Sequence, residues 1–275
     1  MKIRRGAAVI GLGNWGSSVA AALDAAGLLV ARVHARRRGS HAGLDAKLLW
    51  LCVPDAAIAG TAEWLAEKRG DLHNHVVVHS SGALDRNVLA AAARAGARTA
   101  SVHPMMSFPT RRVLALKGVR FGVEAGDAAT QRELFALLRR LGGRPFTVDG
   151  KGKAMYHAGA MFGSPLLVAT LAAGVRAMRE AGIPEKEALA LLGPMAAATV
   201  ANVQKRGLAR SFSGPLARGD AATVKLHREA LAGHPLVAHV YDGLARLAAK
   251  DLPSADRAAI QTALRTDSGE NWKRH

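Results

Sequence analysis

Short apolar runs alternate with helical patterns through the first half of the chain. The runs predict strands at Ala7–Ile10, Leu28–His34, Leu48–Val53, Val76–His79, Arg98–Val102, Val119–Val123 and Pro145–Val148. Helical patterns lie between them, and the apolar spacing from Leu134 to Leu141 predicts a helix that Asp127 caps. Because strands and helices alternate, we expect an α/β fold built on a parallel sheet.

The strand signals stop after Asp149. From there, a long helical pattern covers Lys153–Ala181 and a second one begins at Pro184 and continues to about Arg206. Further helices are predicted near Asp220–Ala232, Pro235–Ala249 and Ser254–Leu264. The sequence therefore predicts a Rossmann domain over residues 1–150 and an all-helical domain over 151–275, with the boundary at Gly150–Gly152.

The stretch Ala154–Val175 is about long enough to cross a bilayer, which takes roughly 20 apolar residues. It also contains Tyr156, His157, Ser164 and Pro165, and the sequence offers no second candidate span. We therefore interpret it as a buried core helix or a dimer helix, and we expect no membrane partner.

Composition narrows the class of protein. Of the 275 residues, 49% are hydrophobic and 21% charged, which is ordinary for a globular chain. The one cysteine, Cys52, excludes an intramolecular disulfide and a thiolate metal site, and we expect no metal. The N-terminus shows no apolar signal region, so we expect a cytoplasmic protein.

The formal net charge of +17 raises the question of nucleic acid as a partner. Basic residues outnumber acidic ones in both halves, without a basic tail or an aromatic-interleaved basic stripe. This spread indicates a generally basic surface, and we do not expect nucleic acid as a partner.

The segment Gly11-Leu12-Gly13-Asn14-Trp15-Gly16 is a G-x-G-x-x-G motif between the first strand and the first helix. In that context the motif is typical of a dinucleotide-binding turn. Gly11 permits the tight turn, Gly13 lets the backbone approach a pyrophosphate, and Gly16 allows close packing of helix on strand. The helix N-terminus then presents unpaired N–H groups to the phosphates.

The end of the second strand indicates which dinucleotide binds. An NAD site places an acidic residue there to bond the ribose hydroxyls. This chain instead has His34, followed by Arg36, Arg37 and Ser40, with no carboxylate in reach. Guanidinium groups pair well with phosphate, so the sequence predicts NADP(H), with the two arginines near the 2′-phosphate and Ser40 as a further hydroxyl. The alternative is a solvated basic loop.

Ligands of doubly wound sheets lie beyond the carboxyl ends of the strands. One such end carries Cys52, Val53 and Pro54, which we expect to line the nicotinamide through backbone contacts. Cys52 itself is interpreted as a small hydrophobe and the nearby Asp55 as a helix cap.

Two other strand ends are candidates for contact with substrate. Ser80 and Ser81 could bond a substrate carboxylate or carbonyl, or could serve as helix caps, and Ser80 is also a candidate for contact with the cofactor. His103 could orient substrate or donate a proton, and a structural histidine is equally compatible with the pattern.

The predicted long helix carries the most specific pattern of candidate site residues. Its spacings place Lys153, His157, Ala160 and Ser164 on one face of the helix. Hydride transfer to a carbonyl or imine needs a proton donor beside the accepting heteroatom, and a histidine that titrates near neutrality suits that task. His157 is therefore the first candidate, with Lys153 and Tyr156 in reserve. An interdomain hydrogen bond is the alternative.

The motif order covers most of the chain: Gly-Leu-Gly-Asn-Trp-Gly, Val-Pro-Asp, His-Ser-Ser-Gly, His-Pro-Met-Met-Ser-Phe, Tyr-His-Ala-Gly-Ala and Gly-Pro-Leu-Ala-Arg-Gly-Asp. It resembles the bacterial family that joins a Rossmann-like domain to a helical DUF2520 domain. More distantly, it is similar to pyrroline-5-carboxylate reductase, ketopantoate reductase and the β-hydroxyacid dehydrogenases. The resemblance implies NADP(H), a helical dimerisation domain and a site in the cleft between domains.

One departure from the family pattern bears on the chemistry. The family motif after Tyr-His usually continues toward Ser-Asn, where this chain has Ser164-Pro165. In the β-hydroxyacid dehydrogenase relatives, a lysine and an asparagine on this helix serve catalysis, and here His157 stands near the place of the lysine. The resemblance therefore does not support hydroxyacid chemistry by that mechanism.

Three functions follow from these observations. The leading one is an NADP(H)-dependent reductase or dehydrogenase that acts on a small carbonyl, imine or hydroxyacid and forms a homodimer through its helical domain. The alternatives are a cofactor-binding sensor or scaffold without catalysis and, third, a nucleic-acid-binding protein.

Overall fold

The computed structural model describes residues 6–34, 43–107 and 112–265. Contacts along the chain divide it into two compact units, and the division falls after Ser164. The predicted boundary near Gly150–Gly152 lies earlier, because the first helix beyond it packs with the first unit and buries Lys153 there.

The first unit contains a seven-stranded sheet with the order β2-β1-β3-β4-β5-β6-β7. The strands are β1 (Ala7–Ile10), β2 (Val30–Val33), β3 (Leu48–Leu51), β4 (Val76–His79), β5 (Arg98–Pro104), β6 (Arg120–Ala125) and β7 (Arg144–Thr147). Strands β1 to β5 are parallel, whereas β6 runs antiparallel to β5 and pairs in parallel with β7. The predicted α/β class is confirmed, and the sheet is parallel except where β6 pairs with β5.

Helices cover both faces of this sheet. They are α1 (Asn14–Ala25), α2 (Asp55–Arg69), α3 (Ala90–Arg94) and α4 (Ala128–Arg140). In β1, Ala7 and Val9 pack in a cluster with residues of α1 and α4, while Ala8 and Ile10 pack in another with α2 and α3. Side chains of a strand alternate between faces, so both faces of the central strands must be apolar, as the continuous hydrophobic runs predicted.

The caps of these helices follow from local chemistry. Asp127 accepts a hydrogen bond from the backbone N–H of Thr130 at 2.8 Å and begins α4, as predicted. Between β4 and β5, the chain forms a 3-10 turn over Arg86–Leu89 that is followed by α3.

Sheet order places a ligand crevice in the first unit. The chain moves from β1 to β2 on one side and then to β3 on the other side of β1. The carboxyl ends of β1 and β3 therefore flank the point at which the strand order reverses, where open α/β sheets bind ligands.

Helix α5 (Lys153–Phe162) closes the first unit, and the second unit is all helical over its described residues. The helices of the second unit are α6 (Pro165–Glu180), α7 (Glu185–Arg206), α8 (Leu208–Ser211), α9 (Pro215–Arg218), α10 (Ala221–Leu231), α11 (Pro235–Asp251) and α12 (Arg257–Ala263). The prediction of a single helix over Lys153–Ala181 is wrong, since α5 ends before Gly163 and Ser164. Pro165 starts a new helix, because the residue before a proline is disfavoured in helical conformation.

Little of the apolar surface of α5 and α6 is buried. The stretch Gly150–Glu180 has the length and mean hydropathy (1.6) of a membrane span, with 6% of its most apolar window buried. A single such stretch is weak evidence for a membrane. The expectation of a buried core helix is therefore wrong for this segment within one copy of the chain. The alternative, a helix that packs in a dimer, remains a proposal.

Candidate functional site

The turn between β1 and α1 has the backbone of a phosphate-binding loop. Gly11 has φ +96°, a conformation that side chains disfavour, and a Cβ on Gly16 would lie 1.8 Å from the Gly11 carbonyl oxygen. A Cβ on Gly13 would meet nothing within 4 Å, so the turn is open at that position. Gly13 is also the N-cap of α1 and provides no side-chain cap. This open cradle, at a helix N-terminus whose N-cap residue has no side chain, fits the pyrophosphate of a dinucleotide.

Ser80, at the end of β4, holds two tryptophans beside this turn. Its Oγ accepts hydrogen bonds from the indole N–H of Trp15 at 2.6 Å and of Trp50 at 2.8 Å. The two indole rings meet edge to face, with centroids 5.9 Å apart. Ser80 was predicted to contact the cofactor, and the structure places its hydroxyl against the tryptophan within the phosphate turn.

The end of β3 packs against the same turn from the other side. A Cβ added to Gly11 would lie 2.5 Å from the Cys52 carbonyl oxygen, and one added to Gly16 would lie 3.1 Å from the Cys52 Cβ. Burial raises the pKa of the Cys52 thiol, which agrees with its interpretation as a small hydrophobe. Val53 and Pro54 follow, and Pro54 is the N-cap of α2.

The predicted 2′-phosphate site lies almost wholly outside the described residues. His34 ends the described segment after β2 and is exposed. Arg36, Arg37 and Ser40 lie outside the described part of the chain, so their role stays a prediction from sequence.

Lys153 is the most deeply buried charged side chain near the strand ends, at 1% exposure. Its Nζ donates hydrogen bonds to the Ser81 carbonyl oxygen at 3.0 Å and to Ser101 Oγ. Burial lowers the pKa of Lys153 to about 8, against the opposing effect of carboxylates that include Glu124. The ammonium therefore connects the first turn of α5 to the ends of β4 and β5.

His79 and Ser81 shape the turn that follows β4. The Ser81 N–H donates to His79 Nδ1 at 3.2 Å, so His79 Nε2 carries the proton and donates to the Asp85 carbonyl at 3.1 Å. Burial lowers the pKa of His79 to about 4, with Lys153 adding to the shift, and both ring nitrogens thus serve a neutral structural role.

The Ser81 hydroxyl is committed to the same turn. It donates to Asp55 Oδ2 at 2.7 Å and accepts from the backbone N–H groups of Ala83 and Leu84. This is the capping alternative weighed from the sequence, and it also attaches the turn to the start of α2.

Three ring side chains gather around the end of β5. His103 Nδ1 is hydrogen-bonded to the Tyr156 hydroxyl at 2.9 Å. The rings of His103 and His157 meet edge to face with centroids 5.5 Å apart. Burial, together with the charges of His157 and Lys153, lowers the pKa of His103 to about 4, whereas burial raises the pKa of Tyr156 to about 12.

Two glycines make room for this cluster. A Cβ on Gly82 would lie 2.3 Å from His157 Cδ2 and 2.8 Å from His103 Nε2. A Cβ on Gly122, in β6, would lie 2.7 Å from the Tyr156 hydroxyl oxygen. Any larger side chain at either position would displace the rings.

This arrangement can hold and move protons. It brings a hydroxyl, a neutral imidazole and a second imidazole together at the carboxyl ends of neighbouring parallel strands. Within the described residues, no group of three histidine, cysteine or acidic side chains could hold a metal ion. The chemistry that these groups support is proton transfer.

Sequence reasoning found part of this site. Lys153 and His157 do lie on one face of α5, and His103 joins them. The partners that it missed are Gly82 and Ser101. A signal for Ser101 existed, since two-residue spacing puts Ser101 on the same face of β5 as His103.

Comparisons with known proteins agree with this fold. The model of the Rossmann-like domain matches residues 40–104, and that of the domain of unknown function DUF2520 matches residues 119–248. The chain is thus similar to proteins that join a Rossmann-like domain to a DUF2520 domain, which confirms the resemblance predicted from the sequence. No curated protein sequence matches the chain.

Solved structures extend the likeness over nearly the whole chain. BF3122 from Bacteroides fragilis has a TM-score of 0.70 at 20% identity and covers 89% of this chain and 98% of its own. A reductive aminase from Aspergillus terreus, in complex with NADPH and ethyl-5-oxohexanoate, has a TM-score of 0.66 at 18% identity, covering 95% and 100%. Pyrroline carboxylate reductase from Plasmodium falciparum, with NADP bound, has a TM-score of 0.59 at 11% identity, covering 96% and 98%. At these identities the likeness shows the fold.

Proposed function

We propose that the chain is an NADP(H)-dependent oxidoreductase that transfers hydride between nicotinamide and a small carbonyl, imine or hydroxyacid substrate. The observation that carries the proposal is the presence, in one unit, of an open phosphate turn and a proton-transfer cluster. Gly13 opens the turn, and His103, Tyr156 and His157 form the cluster. The cytoplasm stays the predicted location.

The residues of the chain fit two groups of NADP(H), the pyrophosphate and the 2′-phosphate. The backbone around Gly13 would hold the pyrophosphate, and Arg36 and Arg37 would hold the 2′-phosphate. When bound, the nicotinamide supplies or accepts the hydride. Two proteins of the same fold, the reductive aminase and pyrroline carboxylate reductase, contain NADPH and NADP.

The protein's own residues supply the proton that must accompany the hydride. His157 is the proposed source of that proton, because it is half-buried beside His103 and can exchange with solvent. Lys153 and Ser81 belong to the same site. Their polar groups hold the turn after β4, the end of β5 and the start of α5 in place.

The first experiment is a titration of the purified protein with NADPH and NADH, followed by nicotinamide fluorescence. We expect NADPH to bind at least about tenfold more tightly, because a guanidinium pair gains a charge-assisted contact only with the 2′-phosphate. The double variant Arg36→Glu/Arg37→Glu should lose this preference. Exposed Arg94→Glu, in α3, is the matched charge-reversal control. Failure of both nucleotides to bind would contradict the proposed function.

A second copy of the chain is the proposed partner of the helical unit. Among its described residues, large apolar side chains are more often exposed than buried, and they include Val168, Leu189, Met195, Leu226 and Leu236. Monomers rarely expose apolar surface on this scale, and such surface marks an interface. A homodimer would cover the apolar face of α6 and α7 with its own equivalent.

The dimer can be tested by size-exclusion chromatography with light scattering. We expect the mass of two chains for the wild type and of one chain for Val168→Glu/Met195→Glu, because two buried carboxylates would oppose association. Lys205→Glu, at an exposed position of α7, should leave the dimer intact. A monomeric wild type at micromolar concentration would contradict the proposal.

A further inference from the structure

Tyr156 belongs to the cluster with His103 and His157, and the proposed function gives its hydroxyl no role in proton transfer. Its side chain is half-buried, and among the described residues its hydroxyl has one hydrogen bond, to His103 Nδ1 at 2.9 Å. The ring also contacts Phe146 edge to face, with centroids 6.1 Å apart. The hydroxyl is thus held in position between a glycine of β6, Gly122, and the imidazole.

The other candidate acids are less suited to touch a substrate. Lys153 is 1% exposed, and its Nζ donates to Ser81 and Ser101 inside the unit. His103 is a neutral imidazole near pH 7, because burial and the neighbouring charges of His157 and Lys153 outweigh the carboxylate of Asp55. A neutral imidazole carries one N–H and one acceptor nitrogen, and it can therefore take a proton at one side while it gives one at the other.

We propose, on the basis of the proposed function, that Tyr156 is a catalytic acid that His103 recharges from His157. As hydride adds to the carbon of a C=O or C=N bond, the Tyr156 O–H bond breaks and a proton bonds to the substrate heteroatom. The tyrosine oxygen regains a proton from His103 Nδ1, while Nε2 of the same ring takes one from His157. The balance is one hydride, supplied by NADPH, and one proton, supplied by solvent through His157.

The properties of the tyrosine fit this role. Burial raises its pKa to about 12, so Tyr156 keeps its proton across the physiological range. An alkoxide or a deprotonated amine is a much stronger base than a tyrosinate, so transfer to either is favourable. The His103 and His157 rings contact each other edge to face with centroids 5.5 Å apart, so a proton can pass between the two imidazoles directly or through one water. Exchange with solvent restores the starting tautomer of His103.

Gly82 gives the proposed relay its most specific test. Its missing side chain leaves the space in which His103 Nε2 and the His157 ring meet. An added methyl group would separate these two rings without removing an ionisable group. Gly82→Ala should therefore interrupt recharging while every ionisable group of the relay is kept.

The experiment combines nuclear magnetic resonance of the imidazole nitrogens with turnover of two probes, 1-pyrroline and cyclohexanone plus allylamine. In Tyr156→Phe, we expect the His103 Nδ1 signal to shift because it loses its hydrogen bond, NADPH affinity to stay within about twofold, and kcat to fall about 100-fold or more. In Gly82→Ala, kcat should fall about tenfold or more, with NADPH affinity within about twofold of the wild type. Gly159→Ala, in α5 with no atom near the added Cβ, is the matched control for a glycine substitution.

Two further outcomes separate the relay from its alternatives. His157→Ala should lose most turnover and regain part of it with added imidazole, whereas Tyr156→Phe should not respond. Full kcat in Tyr156→Phe, or an unchanged His103 Nδ1 signal in that variant, overturns the relay even if the protein is a reductase. Absence of NADPH binding in the wild type overturns the proposed function instead, and the NMR comparison still decides whether the pair exists.

Discussion

Replacing Gly13 by alanine is expected to remove NADPH binding while leaving the fold intact. Gly13 has φ −72°, which alanine adopts freely, and a Cβ there meets no atom within 4 Å. The free energy of unfolding should therefore change by less than about 1 kcal/mol. The methyl group would, however, stand where the pyrophosphate approaches the backbone, and we expect NADPH affinity to fall at least ~100-fold, or about 2.7 kcal/mol.

Gly16→Ala provides the contrasting variant for this prediction. Its Cβ would lie 1.8 Å from the Gly11 carbonyl oxygen, so the turn or helix α1 must shift. We expect the free energy of unfolding to fall by about 3 kcal/mol, as for severe overpacking. Urea unfolding followed by circular dichroism, together with NADPH titration, separates the two cases. Wild-type NADPH affinity in Gly13→Ala would show that the phosphates bind elsewhere.

Acid should destabilise the protein through His79, which is the second large effect. Its folded pKa is about 4, below the ordinary value of 6.5, so the unfolded chain binds more protons between these two pH values. The stabilisation is fully present above pH 6.5 and is lost as the pH falls toward 4. For this one group, the loss is about 3 kcal/mol. Urea unfolding at several pH values between 7 and 4 measures it.

His79→Asn is the matched variant, because its side-chain oxygen can still accept from the Ser81 N–H but does not titrate. We expect lower stability at pH 7, since the Asp85 carbonyl loses its donor, and a shallower decline toward acid than in the wild type. His103 contributes in the same direction in both proteins, so the difference between them isolates His79. Parallel pH curves for the two proteins would contradict the assignment of His79 as a neutral buried imidazole.

Local patterns predicted the elements that local chemistry determines. The strand from Ala7 to Ile10 was predicted from an apolar run, and the turn was predicted from the glycine that follows it directly. In the structure, Gly11 has the positive φ that this turn requires. The direction of β6 was not predictable in the same way. An apolar run in the sequence does not indicate the direction of the strand within the sheet. Only the pairing with β5 makes β6 antiparallel.

The site shows the same limit more sharply. Periodicity alone brought Lys153 and His157 to one face of α5, since both belong to one helix. The bond from Lys153 to the Ser81 carbonyl joins residues 72 positions apart, and the bond from His103 to Tyr156 spans 53. Such contacts depend on how the sheet and helix pack, so the sequence identified the participants but not their partners.

The hydroxyl of Ser80 has an optical consequence. By holding the indole N–H groups of Trp15 and Trp50, it fixes two neighbouring chromophores next to the turn where a nicotinamide dinucleotide would bind. Ultraviolet light that either ring absorbs can pass to the other, and their emission overlaps the absorption of a reduced nicotinamide. The protein therefore carries an internal energy-transfer donor, and quenching of its emission reports occupancy of the site without any added label.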